Sequence, residues 1–222
     1  MKLRFPVRCA IFDLDGVLLD TEPIYTDVIA SIAGRYGKTY DWSVKSRTMG
    51  RGLLDAVGFV IETLELPLTP SDFIADYTAE LERRLPGAPP APHAEAFTRL
   101  LSERGVPMAV ATSTEARLLP IKLDPHAAWF SIFRAVVCAD HPRVRRSKPA
   151  PDIFLAAAEE LGADPRACVV FEDAPAGVAA AIAAEMQVVA LPHPNVDRLL
   201  LAGADWIISS FAECSPADLG IG

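Results

Sequence analysis

Residues 9–22 read CAIFDLDGVLLDTE, an apolar run that ends in closely spaced acidic residues. The first four residues are apolar or small, as in a β-strand that is buried on both faces. Asp13 and Asp15 follow at once, and Gly16 comes next. Because two carboxylates at this spacing repel each other, a cation, a proton or solvent at a loop must offset the repulsion. We therefore expect a polar site where this strand ends.

Five further runs have the character of this first strand. Each is apolar on successive residues instead of alternating with polar ones, which is the pattern of strands inside a parallel sheet. Helices are predicted between most of these runs, at 93–104, 151–162 and 174–185. The alternation of strands and helices predicts an α/β fold with a doubly wound, Rossmann-like parallel sheet. The predicted strands are RCAIFDL (8–14), PMAVAT (107–112), RAVVCA (134–139), ACVVFE (167–172), MQVVAL (186–191) and DWIISS (205–210).

The long segment between the first and second strands departs from this alternation. Most of it has the apolar spacing of helices, and the proline-rich stretch PGAPPAPH closes it at 86–93. We interpret residues 20–88 as an inserted helical cap domain with a hinge at each end, and residues 1–19 and 89–222 as the core domain. The helices predicted in the insertion are 22–37, 44–66 and 70–85.

Charge, hydropathy and cysteine spacing exclude several classes of protein. The 222 residues include 29 acidic and 21 basic side chains, a net charge of −8, so a nucleic-acid surface is not expected. No apolar run approaches the ~20 residues that a membrane-spanning helix needs, and the run after MKLRFPVR is too short for a signal peptide. The four cysteines show no metal or redox spacing. We expect a cytoplasmic monomer that binds neither nucleic acid nor a membrane.

Polar residues follow four of the predicted strands. In an open parallel sheet, ligands bind at the carboxyl ends of the strands, so these residues should converge on one edge. Carboxylates are ligands that Mg²⁺ prefers, while a lysine and hydroxyl groups beside a helix start suit a phosphate anion. The set fits phosphoryl transfer, in which an aspartate can be the nucleophile. Its members are Asp13 and Asp15, Thr112, Ser113 and Thr114, Lys148, and Glu172 and Asp173.

Four motifs in this sequence resemble those of the haloacid dehalogenase (HAD) superfamily. FDLDGVLLDTE (12–22) is similar to the first motif, DxDGxxxDT/S, and VATS (110–113) to the second. Lys148 in SKPAPDIF (147–154) resembles the third motif and FEDAPAG (171–177) the fourth. All four occur in order. The insertion after the first motif is similar to that of the β-phosphoglucomutase-like subfamily, which carries a helical cap.

The resemblance implies a role for each matching residue. Asp13 would be the nucleophile, and Asp15 would be the general acid and base. Thr112 and Lys148 would bind the transferred phosphoryl group, with the hydroxyl of Ser113 beside them. The implied ligands of the cofactor Mg²⁺ are Asp13, Asp15 through its backbone carbonyl, Asp173 and, in an assisting position, Glu172.

Three reactions of this superfamily fit the motifs: those of phosphatases, phosphosugar mutases and dehalogenases. Dehalogenases lack the second aspartate of the first motif, so Asp15 argues against them. Mutases of the β-phosphoglucomutase type carry a cap histidine where this chain has Tyr25. The stretches 35–50, 64–70, 129–133 and 171–192 more closely resemble pseudouridine-5′-phosphatases and related glycerol-phosphate and sugar-phosphate phosphatases.

The resemblance therefore implies an Mg²⁺-dependent phosphatase that acts through an aspartyl phosphate on a small phosphomonoester. Pseudouridine 5′-phosphate is the favoured substrate among sugar, polyol and nucleoside phosphates. A phosphosugar mutase is the first alternative, and a non-catalytic relative that binds a phosphorylated ligand or a protein is the second. The filled motif positions argue against the latter.

The cap is expected to select the leaving group of the substrate. Glu22, Tyr25, Gly50 and Arg51 lie in segments that could face the core site, so they are the candidates for specificity. The alternatives are that Tyr25 packs between helices of the cap and that Arg51 is a solvated surface charge.

Overall fold

The computed structural model describes residues 3–48 and 53–221. Internal contacts divide the chain into two units. We call Met1–Asp20 with Pro89–Gly222 the α/β unit and Thr21–Ala88 the helical unit. Within the described ranges, no helix is both long enough and apolar enough to cross a membrane.

The described residues of the α/β unit form one parallel sheet of six strands. Each of the six predicted runs contains one strand, and every neighbouring pair of strands is parallel. The strand order is β3-β2-β1-β4-β5-β6, so the chain winds outward from β1 in one direction and then from β4 in the other. This order confirms the doubly wound α/β fold, whose ligand crevice lies where the winding reverses. The strands are β1 (Cys9–Phe12), β2 (Met108–Ala111), β3 (Ala135–Val137), β4 (Cys168–Glu172), β5 (Gln187–Ala190) and β6 (Trp206–Ile207).

Two separate apolar cores flank the sheet, because successive side chains of a strand point to opposite faces. Phe12 of β1 lies in the core that also contains Phe97. Ile11, one residue earlier, lies in the core that contains Phe154 and Ala180. The helices predicted at 93–104, 151–162 and 174–185 are confirmed as α5 (Ala94–Glu103), α8 (Asp152–Glu160) and α9 (Pro175–Ala183), and two short helices that were not predicted are α6 (Leu119–Leu123) and α7 (Ala127–Phe130).

Stacked phenylalanines hold β1 and β4 in register near their carboxyl ends. Phe12 and Phe171 are partners in the parallel ladder, and their rings stack with centroids 4.7 Å apart and an interplanar angle of 5°. Phe97 and Phe211 pack around this pair. Buried aromatic rings contribute large apolar areas. The cluster therefore fixes where Asp13 and Glu172, the residues that follow Phe12 and Phe171, lie at the carboxyl end of the sheet.

The described residues of the helical unit form four α-helices. The predicted helix at 44–66 includes residues 49–52, which lie outside the described residues; before them the structure has a helix from Trp42 to Thr48, and after them a helix from Leu53 to Leu64. The predicted helix at 22–37 ends at Gly34, and Gly37 then adopts a φ of 67° that a right-handed helix does not contain. The helices are α1 (Glu22–Gly34), α2 (Trp42–Thr48), α3 (Leu53–Leu64) and α4 (Pro70–Arg84).

Candidate active site

Asp13 lies at the carboxyl end of β1, directly beside Glu172 of β4. The backbone N–H of Asp13 donates a hydrogen bond to the carbonyl of Phe171 at 3.0 Å, so the parallel ladder itself sets this neighbourhood. Both acidic residues are buried, Asp13 at 7% and Glu172 at 1% exposure. Lys148 lies between them, and its Nζ donates to Oδ1 of Asp13 at 2.6 Å and to Oε1 of Glu172 at 2.5 Å. One lysine, whose side chain is 9% exposed, therefore bridges two buried carboxylates.

The Lys148 side chain reaches this position from the loop after β3. Its Nζ is 3.5 Å from the carbonyl oxygen of Ala111 and 4.9 Å from the ring centroid of Phe154, an arrangement typical of a cation over an aromatic face. Burial lowers the pKa of Lys148, but the charges of Asp13 and Glu172 outweigh burial and raise that pKa above its ordinary value. The lysine is therefore a permanent positive charge in the site.

The carboxyl group of Asp13 has an unusual environment. The pKa of Asp13 is raised from 3.8 to about 7 by several causes together: burial raises it most, Lys148 lowers it, and the negative charges of Glu172 and Asp15 raise it. Lys148 thus offsets only part of the repulsion among the acidic residues. A bound cation would supply the rest, because it favours the ionised form of each carboxylate.

A second acidic residue of the β4 edge completes a cluster that could hold a metal ion. Oxygens of Asp13, Glu172 and Asp173 lie within 4.8 Å of one another. The donors are all carboxylate oxygens, which suit a hard divalent cation such as Mg²⁺. The second oxygen of Glu172 also accepts a hydrogen bond from the N–H of Ala174 at 2.9 Å. Glu172 therefore fits an assisting position better than that of a direct ligand.

Gly16 allows Asp173 to approach the first motif. A Cβ atom at position 16 would be 2.4 Å from Oδ2 of Asp173, which is closer than real contacts allow. The φ angle of Gly16 is +83°, a region that favours glycine. Both observations explain why the acidic pair is followed by a glycine.

Asp15 has partners of its own in the same unit. Lys122 Nζ donates hydrogen bonds to Oδ1 and Oδ2 of Asp15 at 2.8 and 2.7 Å. The hydroxyl of Thr114 donates to Oδ2 of Asp15 at 3.0 Å. Asp13 and Asp15 therefore each have a separate lysine: Lys148 for Asp13 and Lys122 for Asp15.

Sequence reasoning missed Lys122. The side chain is 1% exposed, but a single lysine in LLPIKLDP (118–125) reads as a surface charge because no neighbouring motif marks it. The one available signal was its position in an apolar stretch after the second motif. Thr114 was placed at the edge of the sheet but was given no function.

The structure places Thr112 and Ser113 at the end of β2, next to β1. Thr112 is fully buried, and its N–H donates to the carbonyl of Val137 at 2.9 Å. Its Oγ1 accepts a hydrogen bond from the N–H of Thr114 at 3.1 Å. Ser113 is exposed. The predicted roles of these two residues in binding phosphate stay predictions.

Two of the four predicted specificity residues line a cavity inside the helical unit. The cavity has a volume of about 280 Å³, and both Glu22 and Tyr25 border it. Lys45 forms an ion pair with Glu22 and donates to the hydroxyl of Thr26 at 2.6 Å. The predicted residues Gly50 and Arg51 lie outside the described residues. Other residues of the lining include Ile29, Tyr40, Val57, Val60, Phe73 and Tyr77.

Comparisons with known proteins identify the class of this chain. The model of a family described as haloacid dehalogenase-like hydrolase matches residues 7–185. The chain therefore belongs to the haloacid dehalogenase-like hydrolase family.

Individual relatives extend the similarity over almost the whole chain. The (DL)-glycerol-3-phosphatase 1, mitochondrial, of Arabidopsis thaliana is 39% identical over 223 residues, covering 98% of this chain and 75% of that protein. The "Probable pseudouridine-5′-phosphatase" of Drosophila melanogaster is 38% identical over 222 residues, covering 99% and 96%. The crystal structure of a "putative beta-phosphoglucomutase" from Thermotoga maritima has a TM-score of 0.77 and 29% identity, covering 96% of each chain.

These findings confirm the resemblance that the four motifs predicted. They also confirm an enzyme of the HAD phosphatase type, since relatives at 38–39% identity over nearly the full chain are named as phosphatases. The alternative of a non-catalytic relative is not supported.

Proposed function

We propose that this protein is an Mg²⁺-dependent phosphatase that hydrolyses a small phosphomonoester through an aspartyl phosphate on Asp13. The cluster of Asp13, Lys148, Glu172 and Asp173 is the observation that supports this proposal most strongly. It combines a nucleophile, a fixed cation and a set of metal-binding oxygens at the carboxyl edge of the sheet. These are the components that phosphoryl transfer requires.

In the first half-reaction, an oxygen of Asp13 attacks phosphorus and the bond to the leaving oxygen breaks. Asp15 gives its proton to that oxygen, so the alcohol leaves neutral and Asp15 becomes ionised. Lys148 and the hydroxyls of Thr112 and Ser113 hold the phosphoryl oxygens. The product of this step is the aspartyl phosphate.

In the second half-reaction, water attacks the phosphorus of the aspartyl phosphate. Asp15 accepts a proton from this water, the bond between phosphorus and Asp13 breaks, and inorganic phosphate leaves with both aspartates restored to their starting states. Mg²⁺, held by Asp13, Asp173 and the backbone carbonyl of Asp15 with Glu172 assisting, would neutralise the charge of the phosphoryl group.

We propose that the helical unit is the cap domain and that its cavity selects the leaving group. Glu22 and Lys45 offer charged hydrogen-bonding groups, and Tyr25 adds an aromatic face. Such a mixed lining suits a sugar, polyol or nucleoside. Pseudouridine 5′-phosphate and glycerol 3-phosphate are the two leading candidates, since relatives at 38–39% identity are named after these substrates.

A phosphosugar mutase is the alternative, supported by the similarity to the Thermotoga maritima protein. A mutase must transfer the phosphoryl group to a second sugar phosphate rather than to water. The chain has Tyr25 at the position where mutases of this type carry a histidine. We therefore favour hydrolysis.

We also propose that the protein acts as a cytoplasmic monomer without a nucleic-acid partner. Its net charge of −8 supports the last point, because a negative surface repels phosphate backbones. Size-exclusion chromatography with light scattering, at working concentrations of enzyme, would test the monomer directly.

A phosphate-release screen tests the proposed activity. The panel contains pseudouridine 5′-phosphate, uridine 5′-phosphate, glycerol phosphates, hexose phosphates and flavin mononucleotide, each with Mg²⁺ and with EDTA. Asp13→Asn should abolish release, and Asp27→Asn, a change at an exposed aspartate of the helical unit, should not. Conversion of β-glucose 1-phosphate to the 6-phosphate without phosphate release would favour the mutase instead.

A further inference from the structure

We propose that Lys122 and Thr114 are positioning residues that hold the carboxylate of Asp15 in the orientation needed for proton transfer. This inference rests on the proposed function, in which Asp15 acts in both half-reactions. None of the four motifs assigns a role to Lys122 or Thr114. Neither residue is proposed to touch the substrate.

The three side chains form a closed triangle of hydrogen bonds. Lys122 Nζ binds both oxygens of Asp15, at 2.8 and 2.7 Å, and also donates to Oγ1 of Thr114 at 2.7 Å. Thr114 Oγ1 in turn donates to Oδ2 of Asp15 at 3.0 Å. The hydroxyl of Thr114 thus accepts from one partner and donates to the other, as its single proton allows. A carboxylate held at both oxygens cannot rotate without breaking these bonds.

The burial of Lys122 shows that this contact belongs to the interior of the unit. The residue is 1% exposed, and a buried ammonium is costly unless charges and hydrogen bonds compensate it. Asp15 and Thr114 provide that compensation. The neighbouring Arg117, in contrast, keeps its side chain 59% exposed. Of these two basic side chains, Lys122 is buried and contacts Asp15, whereas Arg117 is exposed.

The lysine and the aspartate come from separate parts of the fold. Asp15 follows β1, whereas Thr114 and Lys122 both lie in the connection after β2, and Lys122 is on α6. If Asp15 only stabilised a local turn after β1, it would not need partners from the connection after β2. Misplacement of a catalytic group by about 1 Å can lower a rate about 100-fold. Lys122 and Thr114, which lie in the connection after the neighbouring strand β2, therefore serve to position the carboxylate of Asp15.

The test uses three variants and one matched control. Lys122→Met removes the donors and keeps the length of the side chain, Thr114→Val removes the hydroxyl and keeps the shape, and Lys122→Arg keeps the charge. Arg117→Met removes a cation from the same segment without touching Asp15. Phosphoenzyme formation and breakdown are followed by rapid quench with the best substrate of the panel, and kcat and KM are measured separately.

For the best alkyl phosphate of the panel, Lys122→Met should lower kcat by about 10-fold to 100-fold, because misplacing Asp15 loses part of the about 100-fold to 10,000-fold that general acid–base catalysis contributes. KM should change less than twofold, and Lys122→Arg should recover part of the loss. With p-nitrophenyl phosphate, the burst of nitrophenolate should stay close to the wild-type rate, because this leaving group departs as a stable anion without a proton. A structural defect would lower the burst amplitude with both substrates and would not distinguish them.

The decisive comparison places Lys122→Met in an Asp15→Asn background. If Lys122 acts through Asp15, the double variant should react at the rate of Asp15→Asn alone. A kcat equal to wild type for Lys122→Met, or an equal further loss in the Asp15→Asn background, would overturn the inference while leaving the phosphatase intact. Should Lys122→Met fail to fold, Thr114→Val, alone and in the Asp15→Asn background, provides the same comparison. A wild-type protein that releases no phosphate from any compound would instead overturn the proposed function, and this inference with it.

Discussion

Gly177 lies so close to the Glu172 carboxylate that no side chain fits between them. A Cβ atom at position 177 would be 1.8 Å from Oε1 and 1.9 Å from Cδ of Glu172. Gly177→Ala must therefore displace the carboxylate that binds Lys148 and the N–H of Ala174. Because alanine favours a helix and Gly177 is inside α9, we expect the variant to fold. Phosphatase turnover should fall at least about 10-fold, in line with loss of one preorganised electrostatic contact.

Gly58→Ala is the matched control for this substitution. Gly58 is also inside a helix, and a Cβ atom there meets nothing within 4 Å. The change should leave turnover unchanged and stabilise the protein by up to about 1 kcal/mol. Equal turnover in the two variants would show that the position of Glu172 does not matter to the reaction.

Asp13→Asn should stabilise the metal-free protein at alkaline pH while it abolishes turnover. The pKa of Asp13 is raised to about 7 in the folded protein, mainly by burial, from an ordinary value of 3.8. The folded state then binds more protons than the unfolded state between these values, so the free energy of unfolding falls as pH rises through this window. Asparagine stays neutral. We expect the variant to melt about 2–4 °C higher than wild type at pH 8 in EDTA, equivalent to about 1 kcal/mol.

Thermal unfolding at pH 5 and pH 8 provides the check. The difference between variant and wild type should shrink at pH 5, where the wild-type Asp13 is largely protonated. A variant that melts below wild type at pH 8 would mean that the lost contact with Lys148 outweighs the relieved repulsion. Added Mg²⁺ should reverse the order by stabilising only the wild-type protein.

Lys148→Met should remove activity and should lower stability by an amount that depends on pH. Without the ammonium, the buried carboxylates of Asp13 and Glu172 face each other directly. Breaking a buried ion pair costs about 3 kcal/mol or more, and we expect a loss of this size in urea unfolding at pH 8. The loss should be smaller at pH 5.5, because the carboxylates can then take up protons. A loss that is equal at both pH values would argue against an electrostatic role.

Asp13→Asn gives the internal control for Lys148. If repulsion between the two carboxylates causes the instability, then Asp13→Asn should stabilise the Lys148→Met protein at pH 8 by more than it stabilises the wild type. An equal effect of Asp13→Asn in both backgrounds would instead point to packing of the lysine stem against Phe154.

The run CAIFDLDG allowed much of the α/β unit and the centre of its site to be predicted. A continuous apolar strand that ends in two aspartates carries both the burial pattern and the chemistry within a few residues. Contacts between residues that are far apart in the sequence could not be predicted. Lys122 and Asp15 are 107 positions apart, and no local pattern distinguishes a lysine that turns inward from one that is solvated. The lack of space for a side chain at Gly177 likewise depends on a tertiary contact, the one with Glu172.

The helical unit was harder to predict because its signals are weaker. Apolar residues over 44–66 keep helical spacing, which predicts a helix that begins at 44, whereas α2 begins at Trp42. Apolar spacing alone does not set the first residue of a helix, and residues 49–52 lie outside the described residues. The ion pair of Lys45 with Glu22 joins α2 to α1 and could not be derived from either helix alone.

Lys45→Met should change the choice of substrate rather than the chemistry. Lys45 pairs with Glu22 at the cavity of the helical unit, so its loss leaves the Glu22 carboxylate without that partner. We expect kcat/KM for the preferred sugar, polyol or nucleoside phosphate to fall about 10-fold, within the 1–3 kcal/mol typical of a lost charged hydrogen bond. Turnover of p-nitrophenyl phosphate should stay within twofold.

Lys38→Met, which breaks the exposed ion pair with Glu65 in the same unit, is the control and should alter neither the choice of substrate nor the turnover of p-nitrophenyl phosphate. Parallel losses for both substrates would assign Lys45 to the stability of the unit, and no loss for either would remove the cavity from substrate selection.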